Sequence, residues 1–116
     1  MIKNKIVAID FDGTITDANV YPKISKLRKG AKETINNIAK HNTVCIWICR
    51  EGRQLIDAYN FLNKHEITFH HLNASPMDRL NKNMRKIIAD YYIDDHNIFM
   101  ESIDWEKIDK YFSENE

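Results

Sequence analysis

Few residues in this 116-residue sequence are there to bend or break it: three glycines and two prolines. No stretch is rich in Pro, Gly or Ser, and no repeat or low-complexity segment interrupts the chain, so nothing marks a linker. With this length, that predicts a single domain over 1–116. Net charge is missing too, since 17 basic side chains balance 17 acidic ones. Bulk attraction to nucleic acid or to an anionic membrane is therefore excluded, which argues against both as partners. No apolar run approaches the roughly 20 residues of a membrane span. Met1 to Lys5 carries positive charge ahead of an apolar run, as a signal peptide would. Asp10 and Asp12 interrupt that run, no small-residue cleavage site follows, and the expected compartment is the cytoplasm. There are only two cysteines, Cys45 and Cys49. Four residues apart on a strand, their Cα atoms would lie about 13 Å apart, too far for a disulfide. Their spacing fits no zinc pattern, and the expectation is two reduced, half-buried thiols.

What is present is a normal apolar content of 43% in an alternating order of short runs and amphipathic stretches. Lys5 to Ile9 is apolar and β-branched and ends at Asp10, as a buried strand does. Gly13 to Leu27 is irregular. Gly30 to Lys40 has Ile35, Ile38 and Ala39 at helical spacing, with His41-Asn42 as the stop, since Asn tolerates a left-handed cap. Thr43 to Ile48 predicts a second buried strand, and Arg53 to Lys64 a helix with Leu55, Ile56, Tyr59 and Leu62 as its apolar stripe. Ile67 to Leu72 alternates weakly and predicts an edge strand. Asn73 to Pro76 reads as a loop, and Met77 to Met84 is ambiguous. The second half of Ile87 to Ile93 predicts a buried strand ending at Asp94-Asp95. Asp104 is placed to cap a helix with Trp105, Ile108 and Phe112 on one face. Strands alternating with helices predict an α/β fold: a three-layer α/β/α sandwich with an open, mainly parallel, Rossmann-like sheet.

In such sheets ligands bind beyond the carboxyl ends of the strands. Three of those ends run into polar, reactive groups: Asp10-Phe11-Asp12-Gly13-Thr14, Ile48-Cys49-Arg50-Glu51-Gly52 and Asp94-Asp95. Carboxylates from two strands would meet on one rim. Packed anions repel and resist desolvation, and a hard divalent cation such as Mg²⁺ relieves that cost. Ile6 to Thr14, an apolar strand running into Asp-x-Asp-x-Thr, resembles the first motif of the haloacid dehalogenase-like (HAD) phosphohydrolases. Asp94-Asp95 resembles that family's acidic fourth motif, and Lys86 sits where its third-motif lysine is expected. The stretch Trp47-Ile48-Cys49-Arg50-Glu51-Gly52 makes the likeness strongest to small, capless, phosphatase-like members.

The resemblance implies a Mg²⁺-dependent phosphomonoesterase. Asp10 would be the nucleophile that forms an aspartyl phosphate. Asp12 would act as general acid and then base, and should be the less acidic of the two. Mg²⁺ would be held by Asp10, the backbone carbonyl of Asp12, Asp94 and Asp95, and Lys86 would balance charge on the phosphoryl oxygens. Thr14 would steady Asp12. Phosphate would contact the strand-end residues Ile48, Cys49 and Arg50, with Arg50 able to bind it bidentately or merely to cap the strand end or pair with Glu51. Ile48 stands where the family has Ser or Thr and offers only its backbone N–H. A hydrogen bond to a charged group is worth about 1.5–3 kcal/mol, so tenfold to roughly a hundredfold in rate is at stake, and Ile48→Thr should raise turnover. The alternative is an impaired module that binds phosphate or metal without turnover. His70 and His71, on opposite faces of a strand, fit solvated edge histidines better than a metal site. Asn73, Ser75 and His96 are weaker candidates for the rim. Trp47, Tyr91 and Tyr92 read as core or sheet-face residues. The short interval from Gly13 to Lys29 leaves no room for a cap. The expected partner is a small phosphorylated molecule or a phosphorylated polymer end, with a second copy of the chain as a possible cover for the open rim.

Overall fold

The computed structural model describes residues 1–74, 88–97 and 102–115. It is an α/β fold built on four parallel strands: β1 (Ile6–Asp10), β2 (Thr43–Trp47), β3 (His71–Leu72) and β4 (Tyr91–Ile93), in the order β3-β2-β1-β4. The helices are α1 (Ala31–Ala39), α2 (Gly52–Lys64) and α3 (Trp105–Glu114). The connection from β3 to β4 includes residues 75–87, which lie outside the described residues, as do Ser75 and Lys86.

Alternation along the two central strands sorts their side chains. Val7, Ile9, Val44 and Ile46 join one core with Ile35 and Ile38 of α1, Ala58 and Leu62 of α2, and Trp105 and Phe112 of α3. The opposite face carries a smaller cluster of Ala8 and Cys45 packed by Ile6, Trp47 and Ala89. Cys45 is therefore buried while Cys49, at the sheet rim, is exposed, and the two form no disulfide. Among the described residues no helix is long and apolar enough to cross a membrane.

Three expectations shift in detail. The third strand shrinks from six residues to two because side chains take its ladder partners. The Val44 N–H donates to Nδ1 of His70, and the Thr68 N–H donates to Oδ1 of Asn36. His70 is the exposed edge residue expected, and its Nδ1 also serves as a structural acceptor. On α2 the buried residues are Ala58 and Leu62, with Leu55 and Phe61 packed against the core, while Ile56 and Tyr59 are exposed. Asn42 stops α1 with its carboxamide rather than with left-handed backbone. It donates to the carbonyls of Ile2 and Ile38 and accepts from the Lys5 N–H.

The expected cap at Asp104 is present, its carboxylate accepting from the Lys107 N–H. It starts α3 so that Trp105, 1% exposed, lies beneath the loop after β1 and donates its indole N–H to the Thr14 carbonyl. Gly30 permits this approach, since a Cβ there would press on Trp105 at 3.2 Å. Trp105→Ala should lower stability by about 3–5 kcal/mol in urea unfolding, the cost of an emptied aromatic site.

Candidate active site

The loop after β1 is wound tightly enough to put two carboxylates on the rim. The Phe11 carbonyl accepts from the amides of Thr14, Ile15 and Thr16 in succession, and the Gly13 N–H donates to Oγ1 of Thr16. Gly13 sits at φ +85, and a Cβ on it would collide with Oδ2 of Asp95. Both facts demand glycine there. Arg28 grips the loop from the side, donating to the carbonyls of Gly13 and Thr14.

The register of the parallel pairs does the rest. Ile9 lies opposite Ile93, so the next residues, Asp10 and Asp94, emerge side by side. Asp10, Asp94 and Asp95 bring carboxylate oxygens within 4.8 Å of one another. Thr14, fully buried, bridges two of them by sharing its hydroxyl between Asp10 (3.1 Å) and Asp95 (3.2 Å). The Asp95 N–H in turn donates to Thr14 Oγ1 at 3.0 Å. Thr14 therefore steadies Asp10 and Asp95, not Asp12 as its sequence position suggested. Burial first, then the neighbouring charge of Asp94, pushes the Asp10 carboxyl from an ordinary 3.8 up to about 7, with Thr14 pulling the other way. The carboxyl that this cluster makes less acidic is thus Asp10, whereas the expectation had been Asp12. All-oxygen donors crowded in this way fit a hard cation of the Mg²⁺ class.

Asp12 turns from the cluster to Arg50. The guanidinium, 3% exposed, meets both carboxylate oxygens at 2.7 and 2.8 Å. Its remaining donors hold the carbonyls of Pro22 and Lys23, and it lies over the rings of Phe11 and Tyr21. The hydrogen bonds it donates to Asp12 push Arg50 further up its already high range. Of the two roles open to Arg50, phosphate contact and structural pairing, the geometry has it in the second, with Asp12 rather than Glu51 as partner. Ile48 is also turned away from the rim: its side chain is in the core, 3% exposed. The one group it was expected to offer, its N–H, donates to Oδ1 of Asn73 at 2.6 Å, and Asn73 donates back to the Ile48 carbonyl. Asn73 thus clamps the end of β2. By alternation Cys49, next along, faces the open side.

A cleft of about 280 Å³ opens over these groups, with Asp10, Asp12 and Asp94 at its base. Asn19, Tyr21, Trp47, Cys49 and His96 form its walls. The Nε2 atom of His96 lies 3.7 Å from Asp95. Asn19 and Tyr21 belong to a strap, residues 17–26, that leaves the loop and returns. Thr16 pairs with Leu27 in antiparallel fashion, the Asp17 N–H donates to the Lys26 carbonyl, and Ser25 bonds to the Asp17 carboxylate. The sequence gives no sign of the strap's position, because it is held by backbone carbonyls reaching Arg50. Trp47 could have been found: it is opposite Asp10 in register and on the same face.

The two carboxylates should respond oppositely to neutralisation. A carboxyl with a raised folded-state pKa takes up a proton on folding. Its contribution to stability is complete below about 4 and is lost as pH rises through about 7. Without divalent cation, Asp10→Asn should therefore raise the melting temperature at pH 8 and leave it little changed at pH 5. Asp12→Asn strips a buried guanidinium of its counter-charge and should cost about 3–5 kcal/mol by urea unfolding at pH 8.

The sequence matches no family model and no curated protein. Among solved structures, a conserved protein coded by a locus of Bacteroides thetaiotaomicron is similar to it at 31% identity. The match covers 98% of this chain and 93% of that one, with a TM-score of 0.81. At that identity, over nearly the full length of both chains, the likeness is one of sequence as well as of fold, and this chain belongs to the same family as the conserved Bacteroides thetaiotaomicron protein.

Proposed function

We propose that this protein is a Mg²⁺-dependent phosphomonoesterase that works through an aspartyl phosphate on Asp10. The observation that carries the reading is the meeting of Asp10, Asp94 and Asp95, two of which, Asp10 and Asp94, line an open cleft that Asp12 also lines. Three crowded carboxylates are a poor place for a phosphate until a cation is among them. Bound there by Asp10, Asp94 and Asp95, Mg²⁺ would neutralise that charge and draw in the phosphoryl oxygens. Asp10, freed of its proton, attacks phosphorus while the ester oxygen leaves. Thr14 keeps the Asp10 carboxylate aimed. Asp12 serves the second half of the reaction, taking a proton from the water that opens the aspartyl phosphate. For that step, and to protonate the leaving ester oxygen in the first half, it must turn away from Arg50 towards the cleft. Lys86, outside the described residues, remains the candidate for charge balance. Donors for phosphate come from backbone N–H groups past the strand end and at the start of α2, where no side chain caps the helix.

One observation favours the second reading, a module that binds phosphate or metal without turnover. The Ile48 side chain is in the core and its N–H is spoken for. The usual remedy also changes meaning, since Ile48→Thr would bury a hydroxyl instead of presenting one to phosphate.

Hydrolysis of an aryl phosphate should require Mg²⁺, stop on chelation, and fall at least about a thousandfold in Asp10→Asn, since a nucleophile has no substitute. Ile48→Thr should leave turnover no faster and lower the melting temperature. Cation bound with no turnover across a broad panel of phosphate esters would favour the second reading.

A further inference from the structure

The cleft has more than a phosphate site. Its walls hold two aromatic side chains whose placement the carboxylate chemistry does not need. Trp47 stands opposite Asp10 in the β1–β2 register, with its indole N–H 3.3 Å from Cys49 Sγ. Tyr21 sits on the strap and is 55% exposed, a large apolar ring left to solvent at the mouth of an acidic site. It is not loosely held. The Arg50 guanidinium lies over its ring, 5.1 Å from the centroid, and bonds to the carbonyls of Pro22 and Lys23 just after it. The Tyr21 N–H donates to Oδ1 of Asn19. A buried arginine thus spends two donors and a ring face on keeping an exposed tyrosine in place. Such rings bind flat partners by stacking or by edge-to-face contact, and they lose little entropy when already braced. The cleft, about 280 Å³ including the space over the carboxylates, has room for a ring beside the phosphate end.

We propose that the cleft selects phosphomonoesters whose leaving group is a single planar ring, held by Tyr21 and Trp47. The inference rests on the phosphohydrolase reading for the phosphate end, and it assigns the other end. Arg50 meets both the Tyr21 ring and the Asp12 carboxylate, so the ring wall stands next to the acid–base residue. A ring seated on Tyr21 brings its ester oxygen towards Asp12. A small aliphatic ester gains nothing from either aromatic wall.

Binding, rather than turnover, is the clean readout, because aryl and alkyl leaving groups differ in intrinsic reactivity. Phenylphosphonate and methylphosphonate, whose P–C bonds this chemistry does not cleave, are titrated calorimetrically into the Mg²⁺-loaded protein. Phenylphosphonate should bind about tenfold more tightly. Tyr21→Ala should remove that preference and leave methylphosphonate unchanged, and Tyr21→Phe should keep it. Equal affinities in the wild type, an equal loss for both ligands in Tyr21→Ala, or no binding of either would overturn the proposal. Turnover of phenyl and glycerol phosphates is measured in parallel. A ring preference without any hydrolysis would sustain the ring site and remove the phosphatase reading, and hydrolysis without a ring preference would do the reverse.

Discussion

Everything at the rim follows from one electrostatic conflict. Parallel pairing of β1 with β4 in this register delivers Asp10 and Asp94 side by side, with Asp95 one residue on. Like charges so close raise the free energy of the folded chain, and burial first and the Asp94 charge second push the Asp10 carboxyl up. The surrounding structure is arranged to hold the conflict in place. Thr14 shares its hydroxyl between two of the carboxylates, and Gly13 vacates the space that Asp95 needs. Trp105 and Arg28 pin the loop by its carbonyls. Each of these supports costs the chain a specific residue. Only the Thr14 hydroxyl offsets part of the repulsion, by its hydrogen bond to Asp10.

Asp12 is treated in the opposite way. Two residues from Asp10, it is fully paired by a buried guanidinium that also gathers the strap and stacks on two rings. The same loop therefore presents one carboxylate in want of positive charge and one already supplied with it. That difference in surroundings separates two residues that are chemically alike, since both are aspartates. It also makes Arg50 the junction between β2, the loop after β1 and the strap over the cleft.

Much of the fold was legible because burial writes itself as periodicity. Lys5 to Ile9 and Thr43 to Ile48 have to be strands buried on both faces. Trp105, Ile108 and Phe112 have to share a helical face, and Asp104 has to cap it. The weak third strand was legible only in part, because His70 and Asn36 replace backbone partners with side chains and no periodicity records that exchange. The acidic rim was legible as well. Carboxylates that directly follow apolar strands can go nowhere but the carboxyl edge of a parallel sheet.

Side-chain direction at the end of β2 was not legible, and it decides what the site can do. Spacing put Ile48, Cys49 and Arg50 at the rim alike. The pleat sends Ile48 into the core and Cys49 to the cleft, and Asn73, 25 residues away, takes the Ile48 amide. Arg50 could have met a phosphate, a neighbouring glutamate or nothing. Only the folded chain brings Asp12 and the carbonyls of Pro22 and Lys23 around it. The amino-acid order by itself determined which residues must be buried, the α/β class and the edge on which the carboxylates gather, because these depend on local pattern. Which aspartate is crowded, which is paired and which aromatic rings flank them was decided by tertiary structure, because register and long-range hydrogen bonds set distances that no local pattern contains.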